Sequence, residues 1–212
     1  MKKNRIITIG REFCSGGAET GRKLAENLGI RYIDKQIIDE VAETLKIDKD
    51  TVEHHDEKPV SIWEIPGYQY SGYLYYSDPS LMLPVNLRIA EAQFNAIRSA
   101  ASKGPCVIVG RCADFVLKDI PNVLKVFIRA DKSLRIQRAV RLYGLTEKDA
   151  AKLIKKTDNV RADYYRYHTG QSWSDAKNYN LVIDTGYTGT DIAAKIIEEC
   201  LENPDIAGST SV

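Results

Sequence analysis

Ile6-Ile7-Thr8-Ile9-Gly10-Arg11-Glu12-Phe13-Cys14-Ser15-Gly16-Gly17-Ala18-Glu19-Thr20-Gly21-Arg22-Lys23-Leu24-Ala25 sets a β-branched run, a glycine-rich loop and apolar residues at helical spacing in direct succession. Strand, loop and helix in that order turn backbone N–H groups toward a phosphate. The standard phosphate loop (P-loop) reads G-x-x-x-x-G-K-[ST], its lysine reaching the terminal phosphates and its hydroxyl holding Mg²⁺. Here Gly10 opens the loop, but five residues separate it from Gly16, one more than the pattern has. Gly17 stands where the lysine belongs and Ala18 where the hydroxyl belongs. The cradle is kept without its two chemical side chains. A ligand-free turn is the plainer reading of the same residues, because glycine also serves tight turns and close helix packing.

Size and composition bound what such a loop belongs to. The 212 residues fit one medium domain, and 43% hydrophobic content suffices for a full core. A formal net charge of +1 gives no bulk case for nucleic acid or membrane, so any anion site must be a local cluster. Cys14, Cys106, Cys112 and Cys200 show no C-x-x-C spacing, and the first residues lead into a strand without a signal-peptide core. The expectation is a soluble, cytoplasmic protein with reduced thiols.

Downstream of the loop, Leu24, Ala25 and Leu28 share a helix face closed by Gly29. Arg31-Tyr32-Ile33 reads as a short strand, with Asp34 as N-cap of a helix carrying Ile37, Ile38, Val41, Ala42 and Leu45. Another helix starts at Asp48 and runs to His54-His55-Asp56. Adjacent side chains on a helix diverge, which favours a solvated helix end there over a metal site. Residues 59–84 hold Pro59, Pro66, Pro79 and Pro84 with Tyr68, Tyr70, Tyr73, Tyr75 and Tyr76. This is an insertion whose tyrosines close over a base, form a subunit contact in a homodimer, or pack on themselves. A helix from Asn86 then stops at Gly104-Pro105, and Cys106-Val107-Ile108-Val109 reads as a strand buried on both faces.

Gly110-Arg111-Cys112-Ala113-Asp114 follows that strand's carboxyl end, where open parallel sheets bind ligands. Arg111 is placed to meet an anion, with pairing to Asp114 as the structural alternative. After the strand Val123–Ile128, helical spacing sets Arg135, Arg138 and Arg141 opposite Ile136, Ala139, Val140 and Tyr143, as an exposed basic face. Thr146, with Asp149, caps a long helix ending near Gly170, and a last strand Leu181–Asp184 precedes a helix from Thr190. The tally is five short strands of parallel type alternating with helices.

With these motifs assembled, the chain resembles the cytidylate kinase-like family, a divergent branch of the P-loop nucleoside monophosphate kinases, from Ile6 to about Leu201. The most specific pieces are Ile9-Gly10-Arg11-Glu12 with Ser15-Gly16-Gly17, and Val109-Gly110-Arg111-Cys112-Ala113-Asp114. Lys156-Thr157-Asp158 with Arg161-Ala162-Asp163-Tyr164-Tyr165 and Asn180-Leu181-Val182-Ile183-Asp184-Thr185 complete them. The resemblance implies an α/β fold, the three-layer α/β/α P-loop NTPase fold with a five-stranded parallel sheet. One domain over 1–202 would carry an acceptor lobe inserted at 59–84 and a helical lid and arm at 132–175, with a flexible tail at 203–212. It implies ATP and Mg²⁺ as cofactors and transfer of the γ-phosphate to a monophosphate such as CMP.

The same resemblance distributes roles. Gly10, Arg11, Glu12, Ser15, Gly16, Gly17 and Ala18 would hold the donor phosphates, with Glu12 on Mg²⁺ directly or through water. Asp34, Arg111, Asp114, Asp158, Arg161 and Tyr165 would face the acceptor. In cytidylate kinases an aspartate follows the arginine matched by Arg111; Cys112 stands there, so Asp114 takes that role only if the turn is reshaped. Arg11, Arg111, Arg138 and Arg161 would neutralise the transferred group in place of the missing lysine. Two other readings stay open: a nucleotide-binding sensor that has lost catalysis, motivated by Gly17 and Ala18, and a small-molecule kinase with a non-nucleotide acceptor. Cys14, beside a helix N-terminus, is either a thiol of lowered pKa or an inert one.

Overall fold

Alternation along the strands builds the molecule in three layers. The computed structural model describes residues 5–58 and 85–202, so the Pro- and Tyr-rich stretch at 59–84 and the tail at 203–212 lie outside the described residues. Strands β1 (Ile6–Arg11), β2 (Arg31–Ile33), β3 (Cys106–Val109), β4 (Val123–Arg129) and β5 (Leu181–Asp184) form one parallel sheet. Their order is β2-β3-β1-β4-β5, which puts the first strand at the centre. Successive strand residues face opposite ways. Ile6, Cys106 and Ile108 therefore pack on α2 (Gln36–Leu45) and α4 (Val85–Ser102), through Ile37, Val41, Ile89 and Ile97. Ile7, Ile9, Val107 and Val109 pack on α1 (Gly17–Leu28) and α8 (Thr185–Glu202), through Leu24, Ala193 and Ile197. Each fully buried Ile, Val or Leu contributes about 1.5–3 kcal/mol relative to exposure. This is the three-layer α/β/α P-loop arrangement.

The remaining helices are α3 (Lys49–His55), the short α5 (Ala113–Val116), α6 (Lys132–Tyr143) and α7 (Glu147–Thr169). Asp48 caps α3 by accepting from the Thr51 amide, and Thr146 caps α7 by accepting from the Asp149 amide, as their sequence signals predict. Asp34 does not cap α2. That helix begins after Lys35 with no side-chain cap, because the Asp34 carboxylate is taken by Arg111 and the Tyr32 hydroxyl. The last helix starts earlier than expected, at Thr185, and is broken at Gly189 (φ 71°, ψ 172°), beyond which the longer piece runs from Thr190.

Helix α6 departs most from expectation. Arg141 is exposed, but Arg135 is only 5% exposed, since α7 folds back over it and presents Asp158. Tyr143, placed on the apolar side by spacing, is 54% exposed and stacks on Phe13. A helical period tells which residues share a stripe, not which stripe a later helix will cover. No helix among the described residues is long and apolar enough to cross a membrane.

His168, near the end of α7, sits among the rings of Phe94, Tyr164 and Tyr167, and burial pushes its imidazole down to about 4. The unfolded value is about 6.5. Since the folded value is the lower one, the stability His168 contributes is complete above about pH 6.5 and is lost as pH falls toward 4. We expect the melting temperature to drop across that window less in His168→Phe than in the native chain; parallel curves would exclude His168 as the titrating group.

Candidate active site

The phosphate loop is drawn tight by its own neighbours. Glu12 donates its amide to the Ile128 carbonyl (3.0 Å), Ser15 its amide to the Glu12 carbonyl (3.2 Å), and Phe13 its amide to Asp158 Oδ1 (2.8 Å). The Ser15 amide is thus committed within the loop and does not join a phosphate cradle that spans Ser15 to Ala18. What remains is the start of α1. Gly16, in the left-handed region at φ 86°, is its N-cap and provides no side-chain cap. The first helical amides have no intrahelical acceptor, and the helix dipole adds positive potential there. Gly10 lies inside β1, where a Cβ would come 2.9 Å from the Phe127 ring, and it does not line the cleft. Gly17 lies directly beneath the Arg11 side chain, and a Cβ at that position would collide with Arg11 Cβ. Arg11 therefore fills the space through which a lysine at position 17 would leave the helix.

In front of this N-terminus opens a cleft of about 680 Å³, lined by Phe13, Gly16, Gly17 and Ala18 and by Arg11, Arg111, Arg138 and Arg161. The four guanidinium groups named from the sequence do converge on one opening, but three of them arrive already paired. Arg111, 3% exposed, reaches Asp34 (2.6 Å) and holds Asp56 through two nitrogens (2.7 and 3.1 Å). Burial opposes its charge, yet Asp56, Glu57 and Asp34 outweigh burial and raise its pKa. Glu57 accepts from Arg11 (2.6 Å), from Arg161 (3.0 Å) and from the Arg111 amide (3.1 Å). Burial would raise the Glu57 pKa, but Arg11, Arg161 and Arg111 hold it well below the usual carboxylate range. Arg161 itself is lowered by burial and by the facing Arg11. Gly110 (φ 76°) makes room for the pair, since a Cβ there would collide with both Arg11 Nη1 and Glu57 Oε1.

Three further expected site residues, Asp114, Tyr165 and Asp158, do not line the opening, and others that do are tied to the loop. Asp114 is buried, with its pKa raised by burial, and accepts from Tyr165 Oη at 2.6 Å rather than pairing with Arg111. Neither lines the main cleft. Asp158 receives the Phe13 amide and Arg135, so it anchors the loop to α7. Arg138 donates to the Ser15 carbonyl (2.7 Å). Glu12 is bound by Arg135 (2.9 Å) and the Ala130 amide (3.1 Å), and among the described residues no cluster of His, Cys, Asp or Glu is arranged to hold a metal. Both contacts fall on Glu12 Oε2, and Glu12 lines the cleft, so it would hold Mg²⁺ through its other oxygen or through water. Burial raises the Cys14 thiol above its ordinary value despite Arg135, Arg161 and Arg138, which fits an inert thiol rather than an activated thiolate.

Asp56 and Glu57 are the residues that sequence reasoning missed. Glu57 follows α3 with φ 53°, a conformation no local signal announces for a glutamate. Among the described residues, Arg22, Lys35 and Arg141 also line the cleft and have no carboxylate in salt-bridge range.

The model of the "Cytidylate kinase-like family" matches residues 6–187. The cytidylate kinase of Methanopyrus kandleri is 23% identical over 206 residues, 93% of each chain. The crystal structure of an uncharacterized protein from Eubacterium ventriosum is 31% identical with a TM-score of 0.70, covering 94% of this chain and 99% of that one. A shikimate kinase from Bacteroides thetaiotaomicron, 13% identical with a TM-score of 0.56, covers 94% of this chain and 99% of its own, and shares the fold.

Proposed function

The chain belongs to the cytidylate kinase-like family, and we propose that it moves the terminal phosphoryl group of ATP onto a nucleoside monophosphate, with CMP as the first acceptor to try. The observation that supports this best is one cleft in which the uncapped start of α1 meets the open cations Arg22, Lys35 and Arg141. Donor phosphates rest on the first-turn amides of α1, and α6 with α7 serves as the lid above them. Arg11 and Arg161 share the single carboxylate of Glu57, so the cluster keeps positive charge toward the transferred group. Mg²⁺ travels on the nucleotide's own phosphates and waters, because that ion needs few protein ligands.

Phosphoryl transfer asks the protein for position, neutralised charge and exclusion of water. A monophosphate is ionised near neutrality, with a second pKa of about 6, so its oxygen attacks without a general base. That suits carboxylates already occupied: Asp34 and Asp56 by Arg111, and Glu57 by Arg11 and Arg161. An alcohol acceptor needs a carboxylate to take its proton; among the described residues that line the cleft, Glu53 at the rim is exposed and outside any ion pair, while Asp34, Asp56 and Glu57 are engaged by arginines, which supports the monophosphate reading over the small-molecule one.

The pairing of Arg11, Arg111 and Arg161 also favours a second reading, a nucleotide sensor without turnover. Calorimetric titration with ATP and CMP beside an ADP-release assay separates them. We expect micromolar-range binding with CMP-dependent ADP release; binding without release supports the sensor, and absence of binding overturns both.

A further inference from the structure

We infer that Thr185 and Arg138 act as a clasp on one carbonyl, that of Ser15, and thereby aim the Gly16 amide at the donor phosphates; this rests on the reading of the cleft as an ATP site. Thr185 begins α8, is 2% exposed, and sits 170 residues from Ser15 in sequence. Its hydroxyl donates to the Ser15 carbonyl and accepts from Arg138 Nη1 at 3.3 Å; the Arg129 carbonyl, 3.2 Å away, is the more distant of its two acceptors. Arg138 Nη1 also donates to the Ser15 carbonyl, at 2.7 Å. A single backbone oxygen thus takes two donors that also bond each other.

The direction of that oxygen matters because a peptide unit is planar and, among the described residues, nowhere cis. The C=O of Ser15 and the N–H of Gly16 must point in opposite directions. Holding the carbonyl against α6 and α8 turns the amide away from them, toward the side on which Gly16 and Gly17 line the cleft. Gly16 is needed for the closeness: a Cβ there would stand 2.7 Å from Thr190 Cγ2 and 2.9 Å from Arg138 Nη1. One turn further on, Thr190 Oγ1 bonds Glu19 (2.8 Å) and Lys23 (2.9 Å), so α8 grips the first turns of α1 at a second point. The standard loop adds to its backbone amides a lysine and a hydroxyl that reach phosphate and Mg²⁺. Here α6 and α8 hold the loop from outside, and Arg138 works through the loop rather than on the phosphate. Thr185 and Arg138 are positioning residues.

The test compares Thr185→Val, which removes only the hydroxyl, with Thr185→Ser, which keeps it. Titration calorimetry should give an ATP Kd about tenfold weaker for Thr185→Val, a loss of about 1.4 kcal/mol, and within about twofold of native for Thr185→Ser. CMP binding should be unchanged in both. Thr185→Ala provides the same readout should Thr185→Val not accumulate as folded protein, and Arg138→Met removes the second donor. The double variant should lose no more ATP affinity than the worse single one, because both act on the same oxygen. Equal loss of ATP and CMP affinity, or native ATP affinity in Thr185→Val, overturns the clasp. Failure of the native chain to bind ATP overturns the site reading itself, and is told apart by the native titration alone.

Discussion

Replacing Glu57 by glutamine is expected to lower the melting temperature by roughly 6–20 °C, the equivalent of about 3–5 kcal/mol for breaking a buried ion pair in a chain of this size. The substitution keeps the shape and removes the charge. Arg11 and Arg161 then face each other across a neutral amide, and Arg161 already feels Arg11 as an opposing charge. Desolvation is the reason for the size of the effect: two guanidinium groups that sit 2.6 and 3.0 Å from one carboxylate are held away from water by it. The pH dependence has a definite sign. The folded pKa of Glu57 is depressed, so its contribution is present above the unfolded value of about 4.3 and is lost only as pH falls toward its lower folded value. The gap between native chain and Glu57→Gln should therefore stay constant from pH 8 to about 5 and narrow only in stronger acid. Thermal melts across that range decide it; a shift under about 2 °C, the scale of a surface pair, means that the cluster is solvated and carries little.

How much of this was legible depends on how far apart the partners lie. Strands and helices were readable because period and caps are local: Asp48 and Thr146 cap as their neighbours dictate, and β3 is buried on both faces as its unbroken apolar run requires. Family resemblance located Arg11, Arg111 and Arg161 but not what they touch. Glu57 lies 46, 54 and 104 residues from the three groups it joins, and nothing in the sequence around it marks a buried carboxylate. Asp34 looked like a cap because a short acid before a helix usually is one, yet a buried guanidinium competes better for it than an exposed backbone amide does. The helical period grouped Arg135, Arg138 and Arg141 on α6 but could not say what covers them: Arg135 is buried against Asp158 of α7, a residue on another element. Arg141 was marked by its place on the basic stripe of α6, but exposed Arg22 and Lys35 carry no such signal, since a surface cation outside any ion pair among the described residues resembles any other.

Rebuilding the standard loop by Gly17→Lys is expected to lower ATP affinity at least tenfold and stability by about 1–3 kcal/mol, the range for overpacking a filled site. If the lysine had simply been lost from an otherwise ordinary loop, restoring it should instead raise affinity. The geometry decides between these outcomes. A Cβ on residue 17 meets Arg11 Cβ, which cannot swing aside as the tip of a long side chain would, and approaches Ile128 Cβ at 3.3 Å on the other side. The strand end or the helix start must move, and that motion displaces the first-turn amides of α1 on which the proposed site would seat the donor phosphates. Gly17→Ala should accordingly cost nearly as much as Gly17→Lys, since the first carbon rather than the charge is at fault. The collision also predicts a coupling: in an Arg11→Gly background, which removes the obstructing carbons, adding Gly17→Lys should cost less than it does alone, by about 0.5–3 kcal/mol. Melting curves and ATP titrations of the four chains read this out directly. Additive losses would mean that Arg11 and position 17 do not compete for the same volume, and the absence of the lysine would then need a different cause.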